Sequence, residues 1–150
     1  MSRITASVDI ARPPEEVFAY VTDPTHLPDW QESAVKVERI GGPSGAVGQQ
    51  MKVTRHMGNR DFDMNVELTK LDAPRSWHVH GIDGPVRPDL EGTVEPIDGG
   101  TRSRVTLSLD FEGHGIGKAI VPLMVKPRVR KEMPRDGQHL KEILERGAPV

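Results

Sequence analysis

The chain has 150 residues, of which 35% are hydrophobic and 28% charged, the composition of one globular domain with a single core. Its longest nearly uncharged apolar stretch, residues 116–125, falls short of the roughly 20 residues of a spanning helix, so stable membrane insertion is not expected. The chain has no cysteine and its first residues form no apolar signal segment, so we expect a cytoplasmic protein without disulfides. A net charge of −2 argues against a general affinity for nucleic acid.

The first part of the chain predicts one strand followed by two short helices. Residues 4–10 alternate apolar and polar side chains, which is typical of a strand with one buried face. Two prolines and two glutamates at 13–16 favour a helix start, and apolar residues then recur at helical spacing over 17–21. Asp23-Pro24 ends this helix, and Pro28 limits the next one to a short piece.

From residue 33 onward the sequence predicts strands separated by turn residues, and therefore an antiparallel sheet. Residues 62–68 form the clearest strand, because apolar and polar side chains alternate throughout. Asp98-Gly99-Gly100 predicts a hairpin between the last two strands. The strands of this part of the chain are expected near residues 35–40, 51–57, 62–68, 76–82, 90–97 and 105–111.

The tail predicts an amphipathic helix, kinked or segmented by its prolines, whose apolar residues lie near multiples of 3.6: Val125, Val129, Met133, Leu140 and Leu144. This helix is the only element long enough to cover the apolar face of the sheet. We therefore predict an α+β helix-grip fold, a curved antiparallel sheet of six or seven strands wrapped around the C-terminal helix. Six aromatic residues can hardly fill the space between them, so a cavity is expected.

Several segments are recognisable. Residues 11–24, followed by Leu27-Pro28-Asp29-Trp30, resemble the opening segment of the polyketide cyclase/dehydrase-like branch of the START and birch-pollen-allergen (SRPBCC) superfamily. Residues 42–48, 99–102 and 139–145 stand where such proteins place a glycine-rich hairpin, the last hairpin and the end of the long helix. The resemblance spans nearly the whole chain and implies a single helix-grip domain over residues 1–150. The superfamily includes lipid carriers, hormone receptors and cyclases, so the resemblance does not choose between binding and catalysis.

Two polar residues are candidates for chemistry in the cavity. Tyr20 is the only tyrosine and the only phenol that could act as a general acid. Strand alternation puts Arg55 on the inward face, where it could hold an anionic ligand group or pair with an acidic side chain, and we favour the pair. For Trp30 we favour simple core packing. The residues predicted to line the ligand site are Tyr20, Trp30, Met51, Val53, Arg55, Met64, Val66, Trp77, Val79, Leu107, Leu109 and Met133.

Other motifs have simpler interpretations. His78 and His80 share one face of a strand, as two metal ligands would, but Trp77 and Val79 take the opposite face and should point to the core. Because no third ligand is fixed by spacing, we predict no metal and no cofactor. The glycine-rich segment 41–48 lacks the ending of a phosphate-binding loop and is assigned to a hairpin. A basic run over 126–131 could touch an anionic membrane, but Glu132 and Asp136 dilute it, and a solvated helix face is favoured.

The preferred function is binding of a hydrophobic or amphipathic small molecule, lipid- or polyketide-like, in the internal cavity. The alternative is an enzyme that catalyses aldol cyclisation or dehydration there, with Tyr20 and Arg55 assisting at a developing enolate. A third hypothesis is a homodimer or partner-binding protein that uses the cavity mouth and the apolar stretch 116–125.

Overall fold

The computed structural model describes residues 3–146. Seven strands form one sheet in the order β1-β7-β6-β5-β4-β3-β2, and every neighbouring pair is antiparallel. The prediction of an antiparallel sheet of six or seven strands is thus confirmed, with seven. The strands are β1 (Ile4–Ile10), β2 (Ala34–Gly41), β3 (Gln50–Met57), β4 (Arg60–Asp72), β5 (Ser76–Gly81), β6 (Val86–Ile97) and β7 (Arg102–Gly113).

Two short helices follow β1, and a long helical segment follows β7, as the sequence predicts. The short helices are α1 (Pro14–Val21) and α2 (Leu27–Trp30), joined through a 3-10 turn. The long segment consists of α3 (Gly117–Ile120), a π-helical stretch over Val121–Val125 and α4 (Lys126–Glu145). The segmentation therefore lies at the π-helical stretch, whereas Pro134 stands within an uninterrupted α4.

The C-terminal half of α4 is tied to β1 and to the chain that leaves it. Leu140 and Leu144 are buried, and a Cβ at Gly137 would lie in ordinary contact with Val8, 3.7 Å away. The Lys141 ammonium donates to the Asp9 carbonyl oxygen at 2.9 Å, and the Arg12 guanidinium donates to the carbonyl oxygen of Leu144 at 2.9 Å. Apolar burial and hydrogen bonds together hold the helix across the sheet.

A glycine makes room for the largest side chain on the inner face of the sheet. Gly92 on β6 lies opposite Trp77 on β5, and a Cβ there would stand 2.3 Å from the indole ring. The ring packs over this bare backbone and meets Phe18 of α1 edge-to-face, with 5.8 Å between ring centroids. The contact joins α1 to the middle of the sheet.

The predicted β6–β7 hairpin is present. Asp98, Gly99 and Gly100 form its turn with φ values of 50°, 71° and 90°, the left-handed region in which glycine carries no steric cost. Together the elements form the predicted helix-grip fold, with a curved sheet around the terminal helix. Within residues 3–146 no helix is both long and apolar enough to cross a bilayer.

The basic run at the start of α4 is exposed at Arg128, Arg130 and Lys131, as predicted, but not at Lys126. Lys126 is buried, and its Nζ lies 2.7 Å from Oδ1 of Asp110 on β7. Glu132 and Asp136 are buried as well, because they share the inward side of the helix with Val129 and Met133. This side of α4 is therefore apolar with two embedded carboxyl groups.

Candidate functional site: an internal cavity with one polar end

A cavity of about 160 Å³ lies between the inner face of the sheet and α4. Alternation along the strands sends every second side chain toward it, and α1, α2 and α4 complete the wall. Most of the wall is aliphatic or methionine, which leaves space that larger aromatic side chains would fill. Its apolar members include Val21, Leu27, Trp30, Met51, Val53, Met57, Met64, Val66, Leu68, Trp77, Val79, Leu90, Leu107, Leu109, Phe111, Val129 and Met133.

The structure places eleven of the twelve predicted ligand-site residues on this wall. Strand alternation located most of them correctly, because a single buried face fixes the register. Trp30, for which packing was favoured, is both buried and part of the wall. The eleven are Trp30, Met51, Val53, Arg55, Met64, Val66, Trp77, Val79, Leu107, Leu109 and Met133.

Tyr20 is the exception and does not line the cavity. Its ring is buried in a stack on His26, with centroids 4.1 Å apart, and its hydroxyl donates to Oδ2 of Asp29 at 3.4 Å. Burial, reinforced by the Asp29 charge, raises the pKa of the phenol to about 12. The sequence predicted Tyr20 in the cavity wall, but the neighbour that its hydroxyl meets depends on how residues 23–30 fold back. Its predicted role as a general acid in the cavity is not supported by this position.

Arg55 on β3 enters the cavity wall as predicted, but no carboxylate among residues 3–146 forms the contact ion pair with it that was favoured. Within residues 3–146, its one side-chain hydrogen bond runs from Nη1 to Oγ of Ser33, at 3.0 Å. Burial lowers the pKa of the guanidinium, and the nearby charges of Asp136 and Glu132 oppose that shift. A guanidinium carries five N–H donors, so most of its donors are free for a ligand.

Two carboxyl groups of α4 complete what we call the polar end, formed by Ser33, Arg55, Glu132 and Asp136. Burial raises the pKa of Asp136 to about 6, and the neighbouring Glu132 adds to the shift, although the backbone N–H of Glu32 donates to Asp136 Oδ1 at 3.1 Å. Burial also raises the pKa of Glu132. Asp136 can therefore bind and release a proton near neutral pH.

Sequence reasoning missed both carboxyl groups, although a signal was present. Asp136 follows Met133 by three positions and precedes Leu140 by four, and both neighbours belong to the predicted inward stripe. Helical spacing alone would therefore have placed Asp136 on the buried side of the helix. Charged residues in a basic run were assigned to solvent because burial of a charge is costly.

Two methionines separate this cavity from a smaller one. Met57 and Met64 belong to the walls of both, and the second cavity, of about 120 Å³, extends to Ile120 and Met124 near the π-helical stretch. Unbranched methionine side chains adapt their shape easily.

The outer face of the sheet holds a second polar cluster. His78 Nε2 and His80 Nδ1 lie 2.6 and 3.0 Å from the same atom, Oδ1 of Asp89 on β6, and Arg3 donates to Oδ2 at 2.8 Å. Burial works to raise the pKa of Asp89, but the hydrogen bonds from Arg3, His80 and His78 outweigh it and hold that pKa below its ordinary value. The histidines are thus turned away from the core, as predicted, but are not simply solvated.

The family model described as polyketide cyclase / dehydrase and lipid transport matches residues 1–145. The search of curated proteins gave no match.

Solved structures show the same fold at low sequence identity. A protein from Thermus thermophilus superposes with a TM-score of 0.79 at 16% identity, over 98% of this chain and 99% of the other. The Zhui aromatase/cyclase from a Streptomyces species gives 0.77 at 16%, over 99% and 96%. A START superfamily protein from Mycobacterium smegmatis gives 0.71 at 14%, over 98% and 97%. At these identities the likeness concerns the fold.

Proposed function

Because the chain belongs to the polyketide cyclase / dehydrase and lipid transport family, we propose that it binds an amphipathic, lipid- or polyketide-like small molecule in the cavity. The observation that carries the proposal is the contrast within one cavity between a mostly apolar wall and a polar end that groups an arginine with two carboxyl groups. Ligand pockets of this kind bury an apolar body and use a few polar groups to orient it.

The polar end favours a ligand with an acidic or strongly hydrogen-bonding head. Arg55 offers free N–H donors, which form the strongest hydrogen bonds with carboxylate, enolate or phenolate oxygens. Asp136, with a pKa of about 6, accepts a hydrogen bond when ionised and donates one when protonated.

The apolar body of the ligand would lie among methionines and aliphatic side chains. Met51, Met57, Met64 and Met133 all belong to the wall. Because these side chains repack at little cost, the cavity can accept ligand bodies of different shape. Met57 and Met64, which also border the smaller cavity, can adapt toward it. We therefore expect selectivity for the head group to exceed selectivity for the body.

Native mass spectrometry of freshly purified protein is the first test, since a tightly bound ligand co-purifies with the protein and adds to its mass. The second is binding of 8-anilinonaphthalene-1-sulfonate, whose anionic head and aromatic body suit both parts of the cavity. Arg55→Gln should weaken this probe about 10-fold or more, the worth of a charged hydrogen bond. The matched control is Arg104→Gln, which removes an arginine bonded to Asp9 on the outer face. Equal affinities for wild type and both variants would contradict the proposal.

A catalytic role is the second candidate, and the raised pKa of Asp136 favours it. In an aldol cyclisation the Asp136 carboxylate would take a proton from a carbon between two carbonyl groups, and Arg55 would stabilise the enolate oxygen. The enolate carbon would then attack the carbon of another, more distant carbonyl group of the same molecule. The oxygen of that group would receive a proton from the Asp136 carboxylic acid. A later dehydration would remove a proton and hydroxide as water.

This chemistry is tested by incubating a reactive poly-β-ketone with the protein and following cyclised product. Asp136→Asn should lower the rate by about 10²- to 10⁴-fold, the usual contribution of general acid–base catalysis. Tyr20→Phe serves as the control, because Tyr20 lies outside the cavity wall and its loss should leave the rate nearly unchanged. Wild type that binds the substrate yet gives the product distribution of buffer would exclude catalysis for this substrate class.

A further inference from the structure

The outer face of the sheet brings three metal-ligating side chains together, on the side of the sheet opposite the cavity. His78 and His80 alternate on β5 and so point to the same side, and Asp89 lies directly opposite His80 on β6. The ligating atoms of these three residues all lie within 4.8 Å of one another. The register of two neighbouring strands thus supplies the third ligand that spacing along the chain could not.

The geometry points to a binding site for a divalent transition-metal ion such as Zn²⁺, held by His78 Nε2, His80 Nδ1 and Asp89 Oδ1. Bonds of about 2.0–2.2 Å from Zn²⁺ to nitrogen and oxygen put tetrahedral ligand atoms roughly 3.4 Å apart. The two histidine nitrogens lie 2.6 and 3.0 Å from the carboxylate oxygen, so these separations would have to widen by roughly 0.8 and 0.4 Å to admit the ion, which side-chain rotation can supply. Imidazole and carboxylate suit Zn²⁺, Ni²⁺ and Co²⁺.

Arg3 fixes the orientation of the Asp89 carboxylate through Oδ2 and leaves the proposed ligand atom, Oδ1, unoccupied. Its Nη1 donates to Oδ2 of Asp89, while its other donors reach Oγ and the carbonyl oxygen of Ser108 and the carbonyl oxygen of Asp89. Oδ1 is therefore left to the two histidines. Hydrogen bonds that fix a ligand from outside commonly change metal affinity by 10- to 100-fold.

Two glutamates near the site balance the two cations on this face, Lys70 opposite His78 and Arg3 bonded to Asp89, so that Asp89 leaves the face with a net negative charge. In the strand register Glu91 lies opposite His78, and Glu67 lies opposite His80, so both belong to the same face of the sheet. The side chains of His78 and His80 are 30% and 45% exposed, which gives an ion from solution direct access. Three protein ligands on a surface leave at least one coordination position open to water.

The test is a Zn²⁺ titration of the tag-free full chain in competition with a chromophoric chelator. Wild type should bind one Zn²⁺ per chain, and His78→Gln and His80→Gln should each weaken binding by at least about 10-fold. His56→Gln is the matched control, because His56 also contacts a carboxylate, Asp61 at 2.7 Å, but belongs to no such cluster of three among residues 3–146. Ca²⁺, which prefers oxygen ligands, should not compete at equal concentration.

A second measurement keeps the outcome clear if a variant folds poorly. In wild type, the ring ¹⁵N resonances of His78 and His80 should shift on addition of Zn²⁺ while those of His56 stay in place. Equal weakening by all three histidine variants, affinity unchanged by loss of both His78 and His80, or shifts confined to other histidines would overturn the inference.

Discussion

The two halves of α4 present different faces to the sheet. The C-terminal half, with Leu140 and Leu144, is closely packed and hydrogen-bonded to β1. The N-terminal half, with Val129 to Asp136, borders the cavity and carries two buried carboxyl groups. One continuous helix therefore closes the core at one end and shapes a binding site at the other. The C-terminal half therefore stabilises the fold, and the N-terminal half shapes the cavity in which we propose that a ligand binds.

The largest expected effect concerns the closely packed half. Leu140 is fully buried, and Leu140→Ala should lower the free energy of unfolding by about 2–5 kcal/mol, because it removes apolar contacts and leaves a new void. Urea unfolding measures the change. Binding of 8-anilinonaphthalene-1-sulfonate to the folded variant should stay close to wild type, and a loss of binding without a loss of stability would reverse the assignment of the two halves.

Truncation of a side chain to alanine in the cavity half of α4 should lower the free energy of unfolding by less. Met133 lines the cavity, so part of its side chain already faces open space, and Met133→Ala should lower the free energy of unfolding by about 1–2 kcal/mol. Probe affinity should change in this variant, because a wall contact is lost. A cost as large as that of Leu140→Ala would show that both halves are equally packed.

The buried carboxyl group of the cavity half should make stability depend on pH. Asp136 has a pKa near 3.8 when exposed and about 6 in the fold, so the folded state prefers its neutral form. That preference is complete below pH 4 and is lost as the pH rises through 6. With allowance for solvent screening, the free energy of unfolding of Asp136→Asn relative to that of wild type should rise by about 1–2 kcal/mol between pH 4 and pH 7. Urea unfolding at both pH values measures this gain, and parallel pH curves would contradict it.

The smallest expected effect has the opposite sign to the truncations. Gly137 lies within α4, and an added Cβ would meet Val8 at 3.7 Å, an ordinary contact. Gly137→Ala should therefore raise the free energy of unfolding by about 0.5–1 kcal/mol, the helix-propensity difference between the two residues. Thermal unfolding gives the sign directly. A destabilised variant would mean that the helix and β1 are packed more closely than the structure shows.

The sequence predicted the fold and the apolar wall because both follow from local periodicity. Alternation on β3 to β5 located Met51, Val53, Met64, Val66 and Val79 on one face, and a one-residue error would have exposed all of them. Helical spacing likewise located Val129, Met133 and Leu140.

The polar groups were harder to predict, because their roles depend on neighbours distant in sequence. Tyr20 was predicted to line the cavity, but its ring stacks on His26 and its hydroxyl meets Asp29. Asp136 was assigned to solvent because of its charge, although it is buried against the segment that precedes β2 and burial raises its pKa to about 6. The third ligand of the histidine cluster, Asp89, comes from an adjacent strand whose register the sequence alone does not fix.

We propose that an amphipathic ligand binds between the sheet and the N-terminal half of α4. Methionine methyl NMR tests it most directly, because the chain has six methionines and four of them, Met51, Met57, Met64 and Met133, line the cavity. On titration with 8-anilinonaphthalene-1-sulfonate, these four resonances should shift together and saturate at one probe per chain. Met124, which borders only the smaller cavity, should shift little. Shifts confined to Met124, or no saturable shift at the four cavity methionines, would contradict the account.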